Sequence, residues 1–271
     1  MADYNVEGQP SDATLQPAGS IVILREAAEG LEVLMLQRSP TMAFAPNALV
    51  FPGGRVDAAD VALAKKLTAG LTLEDAAARV AAIRETVEEC GLAIGFSPPP
   101  PPERARRLSD GLAEGRPFET ALASSRLEID LFSIKPYARW QPGLAERSLI
   151  TRCFDARIYV ARAPSVSDIT VDPSEISAFR WASPLSILRC CAEGSTYALF
   201  PTRRILERIA KARTFAEVIT AIPADPFRAI VPWTKMVSGE MHLCIPNDHG
   251  YPVTAELWST VQAEFAKQTR T

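Results

Sequence analysis

The stretch RETVEECGL, residues 84–92, sets three glutamates, at positions 85, 88 and 89, beside one arginine and just before a glycine. On a helix of about 100° per residue these glutamates share one face, at i, i+3 and i+4 spacing. An amphipathic helix that turns its charges towards water gives the same pattern. Against that interpretation, like charges at i and i+4 are destabilising, and grouped carboxylates are the ligands of hard cations such as Mg²⁺ or Mn²⁺. The stretch alone leaves a solvated face and a metal site both open.

The helix that carries this stretch is predicted over TLEDAAARVAAIRETVEECG. Thr72 and Asp75 form a start that resembles a capping box, and Gly91 suits a left-handed C-cap. Upstream, two apolar runs separated by AAEG predict a β-hairpin, and a third run predicts a strand that ends in a glycine turn. These runs are SIVILRE (20–26), LEVLMLQR (31–38) and NALVFPGG (47–54).

Composition narrows the class of protein. The 271 residues are 47% hydrophobic and carry a net charge of −3, which gives no general attraction to nucleic acid or to an anionic membrane. No apolar run approaches the roughly 20 residues that span a bilayer. Five cysteines without C-x-x-C spacing and two histidines argue against a disulfide framework or a zinc site. We therefore expect a cytoplasmic protein with no nucleic-acid or membrane partner.

The remainder of the chain alternates strand and helix patterns, with several neighbouring strands in hairpin-like order. This arrangement predicts an α/β (α+β) fold with a mixed sheet. Three parts are expected: a flexible leader over 1–19, a main domain over 20–225 with a helical insertion at about 98–131, and a C-terminal hairpin and helix over 226–271 packed on the same domain.

Paired with FPGG at 51–54, RETVEECGL resembles the signature of the Nudix hydrolases, G-x5-E-x7-R-E-U-x-E-E-x-G-U, where U is aliphatic. Other stretches resemble a long subfamily typified by peroxisomal coenzyme A diphosphatases, and the resemblance covers most of residues 20–212. It implies the Nudix fold, a mixed sheet sandwiched between helices. The stretches that carry it are LMLQRSPTMAFAPNALVFPGGRVDAAD, DARIYVARAP, PSEISAFRW and FPTRRILERIA.

The sequence departs from the family pattern in three places. The signature arginine follows Gly54 by 30 positions instead of 14, which implies a 16-residue insertion. Gly70 has the regular spacing, but Ala76 would then stand in the glutamate position, so Gly54 is preferred and the first signature glutamate is absent. Thr86 replaces an aliphatic residue, and a buried Thr86 is expected to bond its hydroxyl to a preceding helical carbonyl.

The resemblance implies a hydrolase of phosphoanhydride bonds that uses Mg²⁺ or Mn²⁺ to offset phosphate charge and to lower the pKa of water. Glu85 and Glu89 would bind the metal, with Glu88 assisting them or deprotonating water. Arg84 would orient these carboxylates by ion pairing. The implied metal ligands are Glu85, Glu88, Glu89 and a carbonyl of Gly53 or Gly54, and the implied catalytic residues are Arg84, Glu85, Glu88 and Glu89.

Substrate contacts are predicted outside the glutamate helix, at Arg38, Gly53, Arg203 and Arg204. Arg38 lies in a QRSP run that the subfamily shares, and the alternative is a surface arginine at a strand end. The arginine pair follows Pro201 at a helix start, a candidate anion site; two surface arginines are the alternative. Glu146 and Glu175 are candidates for a base outside the signature, although for Glu175 the favoured interpretation is that it closes a turn before the next strand.

The expected substrate is coenzyme A, an acyl-coenzyme A or a related nucleotide conjugate. One alternative is a hydrolase of nucleotide sugars, dinucleotides or nucleoside triphosphates. Another is a non-catalytic nucleotide-binding module, which the presence of three signature glutamates opposes. The partner is in each case a small molecule linked to a nucleoside diphosphate, and the sequence leaves a monomer or a homodimer open.

Overall fold

The computed structural model describes residues 14–68, 70–150, 152–164 and 169–268. In chain order its elements are β1 (Gln16–Ala27), β2 (Gly30–Arg38), β3 (Leu49–Val50), β4 (Gly53–Arg55), α1 (Ala58–Leu67), α2 (Leu73–Cys90), α3 (Pro102–Ala113), α4 (Phe118–Ser125), β5 (Lys135–Trp140), α5 (Leu144–Arg147), β6 (Phe154–Arg162), β7 (Ile176–Ala182), α6 (Pro184–Ala192), α7 (Phe200–Ile209), α8 (Phe215–Thr220), β8 (Trp233–Val237), β9 (Glu240–Cys244), β10 (Ala255–Leu257) and α9 (Trp258–Gln268).

A mixed sheet forms the centre of the molecule, in the order β3-β2-β1-β6-β5, with β4 also paired to β1 and β7 to β2. The pairing of β1 with β6 is parallel, whereas β1 pairs with β2 and with β4 in antiparallel fashion. A smaller antiparallel sheet contains β10, β9 and β8. The glycine turn is held against β1 by the pairing of β4, so its position is fixed by the central sheet.

Helices cover both faces of the central sheet because alternate side chains of a strand point to opposite faces. On β1, Ile21 and Ile23 belong to a core formed with α1, α2, α3 and α4. Val22 and Leu24 belong to a second core formed with α6, α7, α8 and α9. The predicted α/β fold with a mixed sheet between helices is confirmed.

Helix α2 begins and ends where its caps predict. The Thr72 side chain accepts from the backbone N–H of Asp75, and Gly91 adopts a left-handed φ of 71°. Thr86 is fully buried, and its hydroxyl donates to the Ala82 carbonyl at 2.7 Å. This bond lets a polar residue occupy an aliphatic position of the signature, as expected.

The predicted leader requires a correction. Residues 1–13 lie outside the described residues, but β1 begins at Gln16, four positions before the predicted strand start. The early start is explained by the parallel pairing with β6, which begins at Gln16 opposite Phe154. Such a partner, far away in sequence, leaves no local signal.

The predicted helical insertion and the predicted C-terminal region both pack on the rest of the chain. Helices α3 and α4 lie in the predicted insertion. The buried Arg79 of α2 donates to the carbonyls of Leu131, at the end of the insertion, and Ile134, just after it, at 2.6 and 2.7 Å. In the C-terminal region, Leu243 and Val261 belong to the same core as Val22 of β1. The boundary near 225 stays a prediction.

No helix in the described ranges is long and apolar enough to cross a membrane.

Candidate functional site

A cleft of about 460 Å³ opens where the β4 turn meets the C-terminal half of α2. The two stretches that define the resemblance both contribute to it, through Gly53, Gly54, Glu85 and Glu89. Arg38 at the end of β2 also lines the cleft, and its Nε donates to the Phe44 carbonyl at 3.0 Å. Two of the three glutamates of α2, Glu85 and Glu89, therefore face a cleft instead of open solvent.

The glycine pair lets the β4 backbone approach the glutamates closely. A Cβ added to Gly54 would overlap the carboxyl group of Glu85. Gly53 has a φ of +147°, which few residues with a side chain adopt, and its N–H donates to Glu89 Oε2 at 2.9 Å. The turn thus places backbone groups directly against both carboxylates.

Arg84 connects α2 to α1 through a set of ion pairs. Its Nε and Nη2 donate to the two carboxylate oxygens of Asp60, each at 2.9 Å. Its Nη1 donates to Glu88 at 2.8 Å and lies 3.0 Å from Glu85. One guanidinium therefore orients three carboxylates, the role that the resemblance implies for it.

Asp60 is the residue that the sequence reasoning missed. It lies six positions after Gly54, the spacing at which the signature has its first glutamate, and it is 1% exposed. The expectation that this carboxylate is absent is therefore corrected: an aspartate takes its place. The insertion follows Asp60, between α1 and Arg84. Counting six positions from the preferred glycine would have found it.

Burial perturbs the pKa values of the three signature glutamates. Desolvation raises the pKa of Glu85 to about 7, opposed by the charge of Arg84. It raises the pKa of Glu89, which is only 3% exposed, to about 8, opposed by the Gly53 hydrogen bond. The pKa of Glu88 is also raised by desolvation. Ionised carboxylates are thus unfavourable here without an added positive charge.

Comparison with known proteins finds similar diphosphatases in two vertebrates. No protein-family model matches the chain. The human acyl-coenzyme A diphosphatase NUDT19 is 24% identical over 277 residues, and its Xenopus laevis counterpart is 23% identical over 280 residues. Both alignments cover 83% of this chain and 73% of the relative. The resemblance of this chain to coenzyme A diphosphatases is confirmed by these relatives.

Among solved structures, a NUDIX hydrolase from Alicyclobacillus acidocaldarius superposes with a TM-score of 0.65 at 24% identity. The match covers 78% of this chain and 97% of that structure. The chain has the Nudix fold. In this chain the arginine, the glycine turn and the glutamates of the signature lie next to one another, although the segment between the glycine turn and the arginine is longer than in the signature.

The metal-binding roles predicted for the signature glutamates stay predictions. Within the described ranges, no three Asp, Glu, His or Cys side chains converge on one point as a complete metal site. Glu88 is bound to Arg84 and is not part of the cleft lining, whereas Glu85 and Glu89 are. Because Mg²⁺ commonly binds one or two carboxylates together with water and substrate phosphates, these two largely buried carboxylates fit an ion whose shell the substrate completes.

The structure does not bring Arg203 and Arg204 to the cleft. Arg203 donates to both oxygens of Glu256 at 2.8 Å and pairs with Glu264. Arg204 donates to Glu207 at 2.6 Å. Both arginines are buried, at 8% and 4% exposed. Phosphate contacts by this pair are not supported, since neighbouring carboxylates already bind the guanidinium groups.

Both candidates for a base outside the signature line the cleft. Glu146 is buried, which raises its pKa to about 7 against the opposing hydrogen bond from Gly143 N–H at 2.8 Å. Glu175 also closes a turn, because its N–H donates to the Asp172 carbonyl at 3.2 Å. The two interpretations of Glu175 are thus compatible.

Two further arginines in the cleft lining, Arg55 and Arg152, were not predicted. Arg55 follows FPGG directly, so its position beside the glycine turn was visible in the sequence. Arg152 had no comparable local signal. Together with Arg38 they place three cations around the cleft that Glu85 and Glu89 also line.

Proposed function

We propose that this chain is a divalent-metal-dependent Nudix hydrolase that cleaves the diphosphate linkage of coenzyme A or an acyl-coenzyme A. The observation that carries the proposal is the pair of largely buried carboxylates, Glu85 (18% of the side chain exposed) and Glu89 (3% exposed), set against a glycine turn in a cleft bordered by arginines. The human and Xenopus laevis relatives, named acyl-coenzyme A diphosphatases, support a hydrolase that acts on diphosphate bonds.

Glu85 and Glu89, with a backbone carbonyl of Gly53 or Gly54, are the groups we expect to hold Mg²⁺ or Mn²⁺. A bound divalent cation offsets phosphate charge and lowers the pKa of water. Arg84 holds Glu85 by an ion pair at 3.0 Å, and the Gly53 N–H holds Glu89. Each carboxylate therefore has its direction fixed before substrate arrives, which lowers the cost of ordering it on binding.

The other cleft residues suit a substrate of high negative charge. Arg38, Arg55 and Arg152 present guanidinium groups, which bind phosphate oxygens through directed hydrogen bonds. Glu146, with a pKa of about 7, is suited to accept a proton from water near neutral pH. Glu175 is the second candidate for that role.

The direct test is turnover of a substrate panel by the purified protein in Mg²⁺ or Mn²⁺, with products separated chromatographically. The panel contains coenzyme A, acyl-coenzyme A, ADP-ribose, NADH, diadenosine polyphosphates and nucleoside triphosphates. We expect release of 3′,5′-ADP from coenzyme A and complete loss of turnover in EDTA. Preference for another substrate would favour the alternative hydrolases, and no turnover of any compound would leave the non-catalytic module.

The choice of base is tested with Glu146→Gln and Glu175→Gln. The variant that removes the base should lower kcat and abolish the acidic limb of the pH–rate profile, whereas a positioning role should leave that limb in place. A cytoplasmic location remains an expectation that cell fractionation would test. A homodimer remains an expectation that light scattering would test.

A further inference from the structure

Helix α9 contributes a side chain to the cleft from the C-terminal end of the described chain. Phe265 lines the same cleft as Glu85 and Glu89. It is half-buried and packs against the core that contains Val261 of its own helix. Part of the aromatic ring is therefore available to a molecule in the cleft.

The position of α9 is fixed by contacts with residues at and before α7. Arg203 binds Glu256 just before the helix and Glu264 within it. The Lys267 ammonium lies 5.5 Å from the centre of the Tyr197 ring, within cation–π range. These contacts on both sides of Phe265 hold α9 against α7, and packing on the core places Phe265 in the cleft wall.

The cleft combines charged groups with a substantial apolar surface. Its aromatic and large aliphatic lining residues include Phe44, Phe51, Ile150, Phe154, Leu199 and Phe265. A nucleoside triphosphate or a nucleotide sugar carries no aliphatic chain that would use such a surface. A thioester of a fatty acid does, and burial of that chain is favourable in proportion to the apolar area removed from water.

We infer that Phe265 is a specificity-determining residue that contacts the acyl chain of an acyl-coenzyme A, with α9 forming the wall of an acyl subsite. This inference rests on the proposed function. It predicts that the protein prefers acylated coenzyme A to the free thiol, and that the preference depends on the large apolar side chain of Phe265.

The test compares Phe265→Ala and Phe265→Leu with the wild-type protein on free, acetyl- and octanoyl-coenzyme A. Phe265→Ala should lower kcat/KM for octanoyl-coenzyme A roughly 10-fold or more, through KM with kcat little changed. Activity on free coenzyme A should stay within about twofold, and Phe265→Leu should recover most of the loss. Phe132→Ala, at a phenylalanine that is 48% exposed and not part of the cleft lining, is the matched control.

A binding measurement keeps the inference separate from turnover. Calorimetry in EDTA should give a lower dissociation constant for octanoyl-coenzyme A than for coenzyme A, and Phe265→Ala should remove the difference. If the wild-type protein hydrolyses neither compound but keeps this binding pattern, the proposed function fails and the acyl subsite stands. If Phe265→Ala changes the dissociation constants of both compounds by the same factor, or changes neither, the inference of an acyl subsite is wrong while the proposed hydrolase function is unaffected.

Discussion

The glutamates of α2 and the arginines of α7 are two groups of like charge in partly or fully buried positions, and they differ in what surrounds them. Around α2, Arg84 is the guanidinium shared by Asp60, Glu85 and Glu88, whereas Glu89 is held by the Gly53 N–H. Carboxylates outnumber this cation, and burial raises the pKa of each of the three signature glutamates.

Around α7 the balance is different. Arg203 and Arg204 lie within 4 Å of carboxylates from α7, β10 and α9, namely Glu207, Glu256 and Glu264. A buried charge is tolerated when it is paired and hydrogen-bonded. The arginines therefore connect parts of the fold, while the glutamates outnumber their one arginine, so that full ionisation of all three is favoured only when a further cation is added. The predictions below test this difference.

The largest effect is expected from Glu89→Gln, which keeps the shape of the side chain and removes its charge. Under the proposed function, kcat should fall by a factor of roughly 1000 or more, because the variant loses a ligand for the cation that the reaction requires. The free energy of unfolding in EDTA should not fall, because a neutral amide replaces a desolvated carboxylate. Turnover is measured chromatographically and stability by urea unfolding.

The matched control for that variant is Glu74→Gln, at an exposed position of the same helix. It should leave both kcat and stability near wild type. Metal-dependent turnover by Glu89→Gln equal to that of the wild type would remove Glu89 from the proposed site.

On the α7 side, Arg203→Ala should lower the free energy of unfolding by about 3 kcal/mol, because it leaves Glu264 buried without its cation. This value is at the low end of the range for breaking a buried ion pair, because Arg204 remains 3.4 Å from Glu256 and still pairs with that carboxylate. Adding Glu264→Gln should recover part of the loss, and excess Mg²⁺ should not. Arg189→Ala, at an exposed position of α6, is the control. If Arg203→Ala lowered the free energy of unfolding by no more than Arg189→Ala does, the ion pair between Arg203 and Glu264 would not stabilise the fold as argued.

Glu146 sharpens the comparison, because it is a buried cleft carboxylate whose pKa of about 7 reflects burial opposed by one backbone hydrogen bond. The folded protein holds this proton more tightly than the unfolded chain, whose glutamate has a pKa near 4.5. The contribution of Glu146 to stability therefore falls as pH rises from about 4.5 to 7. Glu146→Gln should abolish that part of the pH dependence, a difference of no more than about 3 kcal/mol above pH 7.

Urea unfolding of the Glu146→Gln and wild-type proteins between pH 4.5 and 8.5, in EDTA, measures this difference directly. The exposed Glu128→Gln is a control for removing a carboxylate as such. A difference that does not change with pH would show that Glu146 titrates alike in the folded and unfolded chains.

The smallest effect is expected from Asp60→Asn. The variant weakens two charge-assisted hydrogen bonds with Arg84, and we expect a loss of about 1–2 kcal/mol in stability. Arg84 would then interact more strongly with Glu85 and Glu88, so Mg²⁺ affinity measured by calorimetry should also fall. Asp57→Asn, which retains an N-cap residue, should change neither quantity; equal effects in the two variants would argue against a specific role for Asp60.

How far the sequence could predict these two regions depends on how far apart the partners lie. The α2 site was predictable because caps, the Thr86 bond and the glutamate face all arise within a few residues of one helix. The link from Gly53 to Glu89 spans 36 positions, yet the resemblance to a known signature supplied it. Asp60 was also predictable, because it lies at the signature spacing of six positions after Gly54.

The α7 arginines could not be interpreted in this way. Arg203 and its partner Glu256 lie 53 positions apart, and neither shows a local pattern that identifies the other. The same limit applies to Arg152 and Phe265, which reach the cleft through the packing of β6, α7 and α9. A helix start with two arginines describes an anion site and an internal ion pair equally well, and only the tertiary contacts distinguish them.

The bridge between Asp60 and Arg84 spans 24 positions, and it joins the two halves of the signature through space. Loop-closure entropy changes slowly with loop length, so the intervening segment is free to lengthen or shorten as long as the guanidinium still meets the carboxylate. Insertions here are expected to be tolerated without moving the glycine turn or the glutamates. A description of this site by its contacts would thus recognise proteins that a pattern of fixed spacing overlooks.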